Sequence, residues 1–93
     1  MPPTLLSQEE IEHYLIRLQG WRQDALAICR DFLFPSFGDA VAFVNRVAEV
    51  AEEADHHPNI AIDYKRVSLS VTTWASGGLT RRDFRLAGKI DGL

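Results

Sequence analysis

The sequence has little of what marks several large classes of protein. Its 93 residues include one cysteine, Cys29, so no internal disulfide can form, and the fold must depend on packing in a reducing compartment. No apolar run reaches the roughly 18 residues of a membrane-spanning helix. The first residues lack the basic start of a secretory signal, which predicts a cytoplasmic protein. Ten Lys and Arg against thirteen Asp and Glu give a net charge of −3, which argues against nucleic acid or anionic lipid as a partner.

What remains is the composition of an ordinary globular protein, with 46% hydrophobic and 25% charged residues. We expect residues 1–93 to form a single domain, because compact domains run from about 50 to 250 residues. A domain of this size buries only about 60–65% of the surface that its unfolded chain exposes, so its core is thin. A ligand site is therefore expected at the edge of the core or between subunits.

Three segments begin with the pattern of a capped helix, in which a Ser or Thr is followed three residues later by an acidic residue. The hydroxyl accepts a hydrogen bond from an unpaired N–H group, and the acidic residue favours the positive end of the helix. Behind each start, apolar residues recur at the period of a helix with one buried face. The pattern predicts three helices, which end near Gly20, Pro58 and Gly92 and begin with the pairs Ser7–Glu10, Ser36–Asp39 and Thr80–Asp83.

Between these helices the apolar period changes to two, which indicates strands. The last strand, Val67–Trp74, alternates an apolar face with a polar face on which Trp74 lies. This order of elements predicts an α+β fold, an antiparallel four-stranded sheet with three helices packed on one face. The bare edges and the other face of so small a sheet predict a dimer or tetramer. The other predicted strands are Trp21–Gln23, Leu26–Phe34 and Ile60–Tyr64.

Two of the three histidines, His56 and His57, lie where the second predicted helix ends before Pro58. Proline disfavours the α conformation in the residue before it, so we expect the chain to turn out there and expose both rings at a rim. Imidazoles change charge near neutral pH, which suits proton transfer. The alternative is that both histidines only cap the end of the helix.

Other site chemistries have weaker support in the sequence. Adjacent histidines do not point at one ion as a pair four residues apart on a helix does, and no Cys-x-x-Cys occurs, so no metal site is expected. Cys29 lies in a predicted strand and is expected to pack as a small hydrophobic residue. Gly77-Gly78 lacks the spacing and the following lysine of a phosphate-binding loop.

A longer pattern extends downstream from the histidine pair. Its members, in chain order, are Glu52, His56-His57-Pro58, Tyr64, Trp74 and Asp83. At these intervals the sequence resembles the signature of the pterin-4a-carbinolamine dehydratase family, and the flanking strand, turn and helix starts are similar as well. The similarity covers nearly the whole chain.

The resemblance implies an enzyme of the hydro-lyase class, a 4a-hydroxytetrahydrobiopterin dehydratase. Members convert the carbinolamine left by aromatic amino-acid hydroxylases to quinonoid dihydropterin and water, and so recycle the pterin. No separate cofactor is implied, since the pterin is the substrate. The family also implies a homodimer or homotetramer.

The resemblance further implies a shallow pterin pocket between the His56-His57-Pro58 corner and residues 73–76. His56 and His57 are the catalytic candidates, one for acid–base transfer and the other at least for orienting the ligand. Glu52 precedes His56 by one helical turn and is expected to orient that ring. The expected substrate-binding residues are Pro58, Thr73, Trp74, Ala75 and Ser76.

One residue departs from the best-studied members, which carry a third histidine where this chain has Trp74. Indole stacks on flat rings and donates one hydrogen bond, but it cannot transfer protons. Trp74 is expected either to stack on the pterin or to be buried between subunits. Two functions stay open, an active dehydratase and a catalytically weak or inactive pterin-binding or oligomeric scaffold. Asp83 is expected to support the fold as a helix cap rather than react.

Overall fold

A computed structural model describes residues 2–93, which form three α-helices and one four-stranded antiparallel sheet. The strands are ordered β1-β2-β4-β3 across the sheet, so β1 and β3 are its edges. This architecture confirms the predicted α+β class. The elements in chain order are α1 (Gln8–Arg17), β1 (Arg22–Asp24), β2 (Ala27–Leu33), α2 (Phe37–Ala54), β3 (Asn59–Asp63), β4 (Arg66–Val71), a 3-10 turn (Trp74–Ser76) and α3 (Arg81–Asp91).

All three predicted helix starts are capped as the sequence indicates. Ser7 and Glu10 form a reciprocal capping box, and the backbone N–H of Ser7 holds the pKa of the Glu10 carboxyl below its usual value. Ser36 caps α2 by accepting a hydrogen bond from the backbone of Asp39, without a reciprocal bond. The third box, at the start of α3, belongs to the candidate site.

The sheet separates an apolar face from a polar one. Val67, Leu69 and Val71 of β4 are buried towards the helices, whereas Ser68 and Ser70 face the other way and keep partial exposure. This alternation is that of a half-buried antiparallel strand. The other side of the sheet, here called the open face, is not covered by any of the three helices. Within residues 2–93, no helix combines the length and apolar character needed to cross a bilayer.

The last strand is shorter than predicted, because β4 ends at Val71 and not at Trp74. After it the carbonyl of Thr73 accepts hydrogen bonds from the backbone of Ser76, Gly77 and Gly78, which closes a tight turn instead of extending β4. Gly77 has φ of 82°, a conformation that suits glycine. Trp74 therefore lies on a 3-10 turn and not on the polar face of a strand, and 82% of its surface is exposed.

Candidate active site

A cleft of about 570 Å³ opens at one corner of the open face. Its walls come from the turn between β1 and β2, the chain entering β3, and the turn after β4. His57 and Pro58 line one side, Trp74 lines another, and Ser70 and Thr72 lie on the floor. The hydroxyl of Thr72 donates a hydrogen bond to the carbonyl of Leu26, which ties the turn between β1 and β2 to the end of β4.

The helix that precedes the histidines ends through an aspartate in the left-handed conformation. Asp55 has φ of 50°, and its backbone N–H donates to the carbonyls of Ala51 and Glu52. The backbone N–H of His56 also returns to Ala51, so the chain reverses sharply before Pro58. Because the two histidines follow this reversal, their rings no longer continue the helical spacing.

His57 is the histidine that faces the cleft, and its side chain is 56% exposed. Its Nε2 atom lies 3.4 Å from Oε1 of Glu52, a largely exposed carboxylate near the end of α2. Glu52 was expected to orient the ring of His56, one turn further along. That prediction is wrong, because the reversal at Asp55 turns His56 inward and brings His57 to the carboxylate.

His56 is buried, with 9% of its surface exposed. Its Nε2 atom lies 2.6 Å from Oδ1 of Asp83 in α3. The ring does not line the cleft but borders a separate cavity of about 140 Å³ beside α3, next to Arg82 and Arg85. The prediction that both imidazoles are exposed at one rim is therefore wrong: one is exposed in the cleft and the other is held behind it.

Asp83 joins the histidine corner to the start of α3. The carboxylate is fully buried, and its Oδ2 atom accepts hydrogen bonds of 2.8 Å from the backbone N–H of Thr80 and from the hydroxyl of Thr73. Its expected role as a helix cap is confirmed, since the reciprocal capping box with Thr80 is present. Sequence reasoning missed the bond to His56, although the family pattern ends on this aspartate.

The bonds of Asp83 also indicate the protonation pattern of its histidine partner. An ionised carboxylate can only accept hydrogen bonds, so with Asp83 in that form Nε2 of His56 is the donor in the short contact. Among the described residues, no buried side-chain nitrogen or oxygen lacks a hydrogen-bond partner.

The predicted substrate-binding residues separate into two groups. Pro58 and Trp74 line the cleft. Thr73 is buried with its hydroxyl bonded to Asp83 and 2.9 Å from that of Thr80. Ala75 is exposed outside the cleft, and the hydroxyl of Ser76 donates to the carbonyl of Pro3.

No metal centre is gathered in residues 2–93, where His, Cys, Asp and Glu do not come together in groups of three or more. Cys29 is half-buried in the middle of β2. In the ladder between β2 and β4, Cys29 pairs with Ser70, which lies on the floor of the cleft. The side chain of Cys29 is therefore on the open face.

Known proteins resemble this chain over nearly its full length. A family model described as Pterin 4 alpha carbinolamine dehydratase matches residues 4–93. A protein of Thermomicrobium roseum is 48% identical over 85 residues, which are 91% of each chain. A protein of Roseiflexus sp. is 50% identical over 88 residues, 95% of each chain. Both relatives carry the provisional name pterin-4-alpha-carbinolamine dehydratase.

The fold also occurs among solved structures. The crystal structure of a transcriptional coactivator/pterin dehydratase from Brucella melitensis has a TM-score of 0.89 and 34% identity, and the match covers 94% of this chain and 95% of that one. A pterin dehydratase-like protein described as a RuBisCO assembly factor of the α-carboxysome has a TM-score of 0.67 and 25% identity, with 80% and 88% covered.

Proposed function

The chain belongs to the pterin 4 alpha carbinolamine dehydratase family, and from this premise we propose that it dehydrates 4a-hydroxytetrahydropterins to quinonoid dihydropterins and water. The observation that carries the proposal is the cleft in which the imidazole of His57 and the indole of Trp74 are both accessible. Its volume of about 570 Å³ falls within the range of about 300–1,000 Å³ that small-molecule sites occupy.

The reaction needs two proton transfers and no electron transfer to the protein. The bond between C4a and the hydroxyl oxygen breaks as that oxygen takes up a proton and leaves as water. The electron pair of N5 forms the new double bond to C4a, and N5 loses its proton. Positioned acid–base groups suffice for these steps, so the proposed reaction requires no separate cofactor.

In this proposal His57 is the acid–base residue, because it is the histidine that reaches the cleft. Glu52, 3.4 Å from the His57 ring, helps to position that ring. Trp74 and Pro58 offer the substrate apolar surface. His56 and Asp83 form a buried pair directly behind the cleft, so we assign them a positioning role that holds the corner at residues 55–58 in place.

The direct test is the rate at which the purified protein removes a freshly generated 4a-carbinolamine. The proposal expects an acceleration well above the spontaneous loss measured in buffer and with a heat-denatured sample. A rate equal to the spontaneous one, with pterin binding intact, would contradict the enzyme assignment.

A binding or assembly role is the second candidate. Two observations favour it: a tryptophan occupies the position of the third histidine, and a relative with the same fold is described as an assembly factor. For this candidate we expect pterin binding without turnover, or a stable complex with another protein from the source cell. The activity measurement separates the two candidates, because only the dehydratase accelerates carbinolamine loss.

Replacement of Trp74 tests both its stacking role and the effect of the missing histidine. Stacking of a flat heterocycle on an aromatic side chain contributes about 1–3 kcal/mol, so Trp74→Ala should raise KM about tenfold or more. Trp74→His should raise kcat, by up to about 10²-fold, because it adds a proton-transfer group to the cleft. Both constants come from steady-state kinetics.

Phe37→Ala is the matched control for the tryptophan variants. Phe37 is 53% exposed at the start of α2 and does not line the cleft, so its loss should leave both constants unchanged. An unchanged KM in Trp74→Ala would mean that the indole does not contact the substrate. That result would favour the alternative that Trp74 packs between subunits.

We also propose that the protein assembles as a homodimer or homotetramer. The open face and the edge strands β1 and β3 have no cover within the described chain. Leu33 of β2 is exposed, and so is Ile62 of the edge strand β3. Exposed strand edges and apolar side chains favour pairing with a second copy. Light scattering at micromolar concentration should give a multiple of 10.5 kDa, whereas the monomer mass would contradict the proposal.

A further inference from the structure

Among the described residues that line the cleft, Asp24 is the one with a carboxylate. Asp24 ends β1, where it pairs in register with Ala27 of β2, and both residues line the cleft. Its side chain is exposed, and no hydrogen bond or ion pair to it is found within residues 2–93. Asp24 is therefore an acceptor that the fold itself does not use.

When the sheet register is extended by one or two residues beyond the last paired residues, this carboxylate and the cleft imidazole fall at opposite ends of one row. Ile28 pairs with Val71, so Ala27 falls opposite Thr72 when that ladder is extended by one residue. The ladder between β3 and β4 begins with the pair Asn59 and Ser70, and its extension by two residues brings His57 opposite Thr72.

The row thus runs from Asp24 through Ala27 and Thr72 to His57. Three strand intervals separate its ends, about 14 Å between backbones. A span of this size leaves room for a flat bicyclic ring between the two end side chains. The two ends offer different chemistry, a carboxylate on one side and a ring that transfers protons on the other.

A pterin has a matching asymmetry. Its pyrimidine edge presents two donors side by side, the 2-amino group and the N3–H, and a carboxylate accepts such a pair through both oxygens. The reacting atoms C4a and N5 belong to the other side of the ring system. A ligand whose donor edge binds Asp24 therefore directs its reacting atoms towards His57.

We propose that Asp24 binds the 2-amino-4-oxopyrimidine edge of the substrate and so determines both its orientation and its class. Asp24 selects 2-amino-4-oxopteridines over 2,4-dioxopteridines, which replace the amino donor with an oxygen acceptor that a carboxylate repels. The inference rests on the proposed function for the identity of the ligand. It adds a recognition residue on β1, far in sequence from the histidine motif.

The test compares binding of pterin and of lumazine, the 2,4-dioxo analogue, by isothermal titration calorimetry. Wild type should bind pterin about tenfold or more tightly than lumazine, because the dioxo ring leaves the carboxylate unpaired. Asp24→Asn, which keeps the shape of the side chain, should bind pterin about 10- to 100-fold more weakly and lose the preference. In turnover, KM for the carbinolamine should rise more than kcat falls.

Asp31→Asn provides the matched control. Asp31 is an exposed carboxylate on the same open face, in β2, but it does not line the cleft. This variant removes the same charge and should retain both the affinity and the preference of wild type. An equal loss of pterin affinity in both variants would mean that only the net charge of the protein matters, and it would overturn the proposal.

Binding and turnover together distinguish a failure of the proposed role of Asp24 from a failure of the proposed dehydratase activity. Turnover by wild type with unchanged pterin binding in Asp24→Asn overturns the role of Asp24 and leaves the dehydratase standing. Loss of binding in Asp24→Asn, in a protein that binds pterin without turnover, supports Asp24 and contradicts the dehydratase. A wild type that neither binds nor turns over pterins overturns both.

Discussion

Replacing His57 with alanine should lower kcat for carbinolamine dehydration by about 10²- to 10⁴-fold, the usual contribution of a positioned acid–base group. We expect this effect because of where the side chain lies: His57 is the histidine whose ring is accessible from the cleft. The ring is 56% exposed, so its loss should change the free energy of unfolding little. Steady-state kinetics and a urea titration measure the two quantities.

His13 offers a control of the same residue type for this experiment. It is an exposed histidine of α1, beside Tyr14 and outside the cleft. His13→Ala should therefore keep the kinetic constants of wild type. Equal kcat in His57→Ala and wild type would remove His57 from the reaction, whatever the effect on KM.

Glu52 is expected to act through this ring and not on the substrate. The carboxylate is 78% exposed and 3.4 Å from His57, so the contact is a weak, solvated one. Its contribution should accordingly be much smaller than that of the imidazole. The helical spacing alone suggested the wrong histidine as its partner, because α2 ends at Ala54 and the reversal at Asp55 interrupts that spacing.

Local sequence signals were sufficient to predict the helices and most of the strands. The caps at Ser7, Ser36 and Thr80 and the apolar stripes behind them depend on contacts within a few residues, which a sequence displays directly. The alternation of apolar and polar residues is equally local, so it predicted which residues share a face of each strand. Because the histidine motif and the downstream spacing are also local in sequence, the family could be identified from them.

The directions of the site side chains were not predictable in this way. Asp55 adopts a left-handed conformation, which glycine and asparagine adopt more often than aspartate does. The chain reversal before His56 therefore had no clear signal in the sequence. The turn that carries Trp74 depends on bonds to the carbonyl of Thr73. The bond from His56 to Asp83 joins residues 27 apart, a separation that only the packing of α3 against α2 brings to 2.6 Å.

Replacing Asp83 with alanine should have the largest effect on stability. The substitution leaves three donors without their acceptor in a fully buried position, those of Thr73, Thr80 and His56. Removing one partner of a buried charged network costs roughly 3–5 kcal/mol of the free energy of unfolding. Loss of an ordinary helix cap costs about 1 kcal/mol, which is the value expected for Ser36→Ala at the exposed start of α2. Urea denaturation of the two variants measures the difference.

The size of that loss does not by itself distinguish a helix cap from a support of the histidine corner, but a double-mutant cycle does. If Asp83 only caps α3, the effects of Asp83→Ala and His56→Ala on the free energy of unfolding should add. If the 2.6 Å contact holds the corner, the double variant should lose less than the sum of the two, by about 0.5–3 kcal/mol. The cycle for kcat should show the same coupling, because His57 is the next residue along the chain. Additive effects in both cycles would confine Asp83 to its role as a cap and leave the position of His57 to the backbone alone.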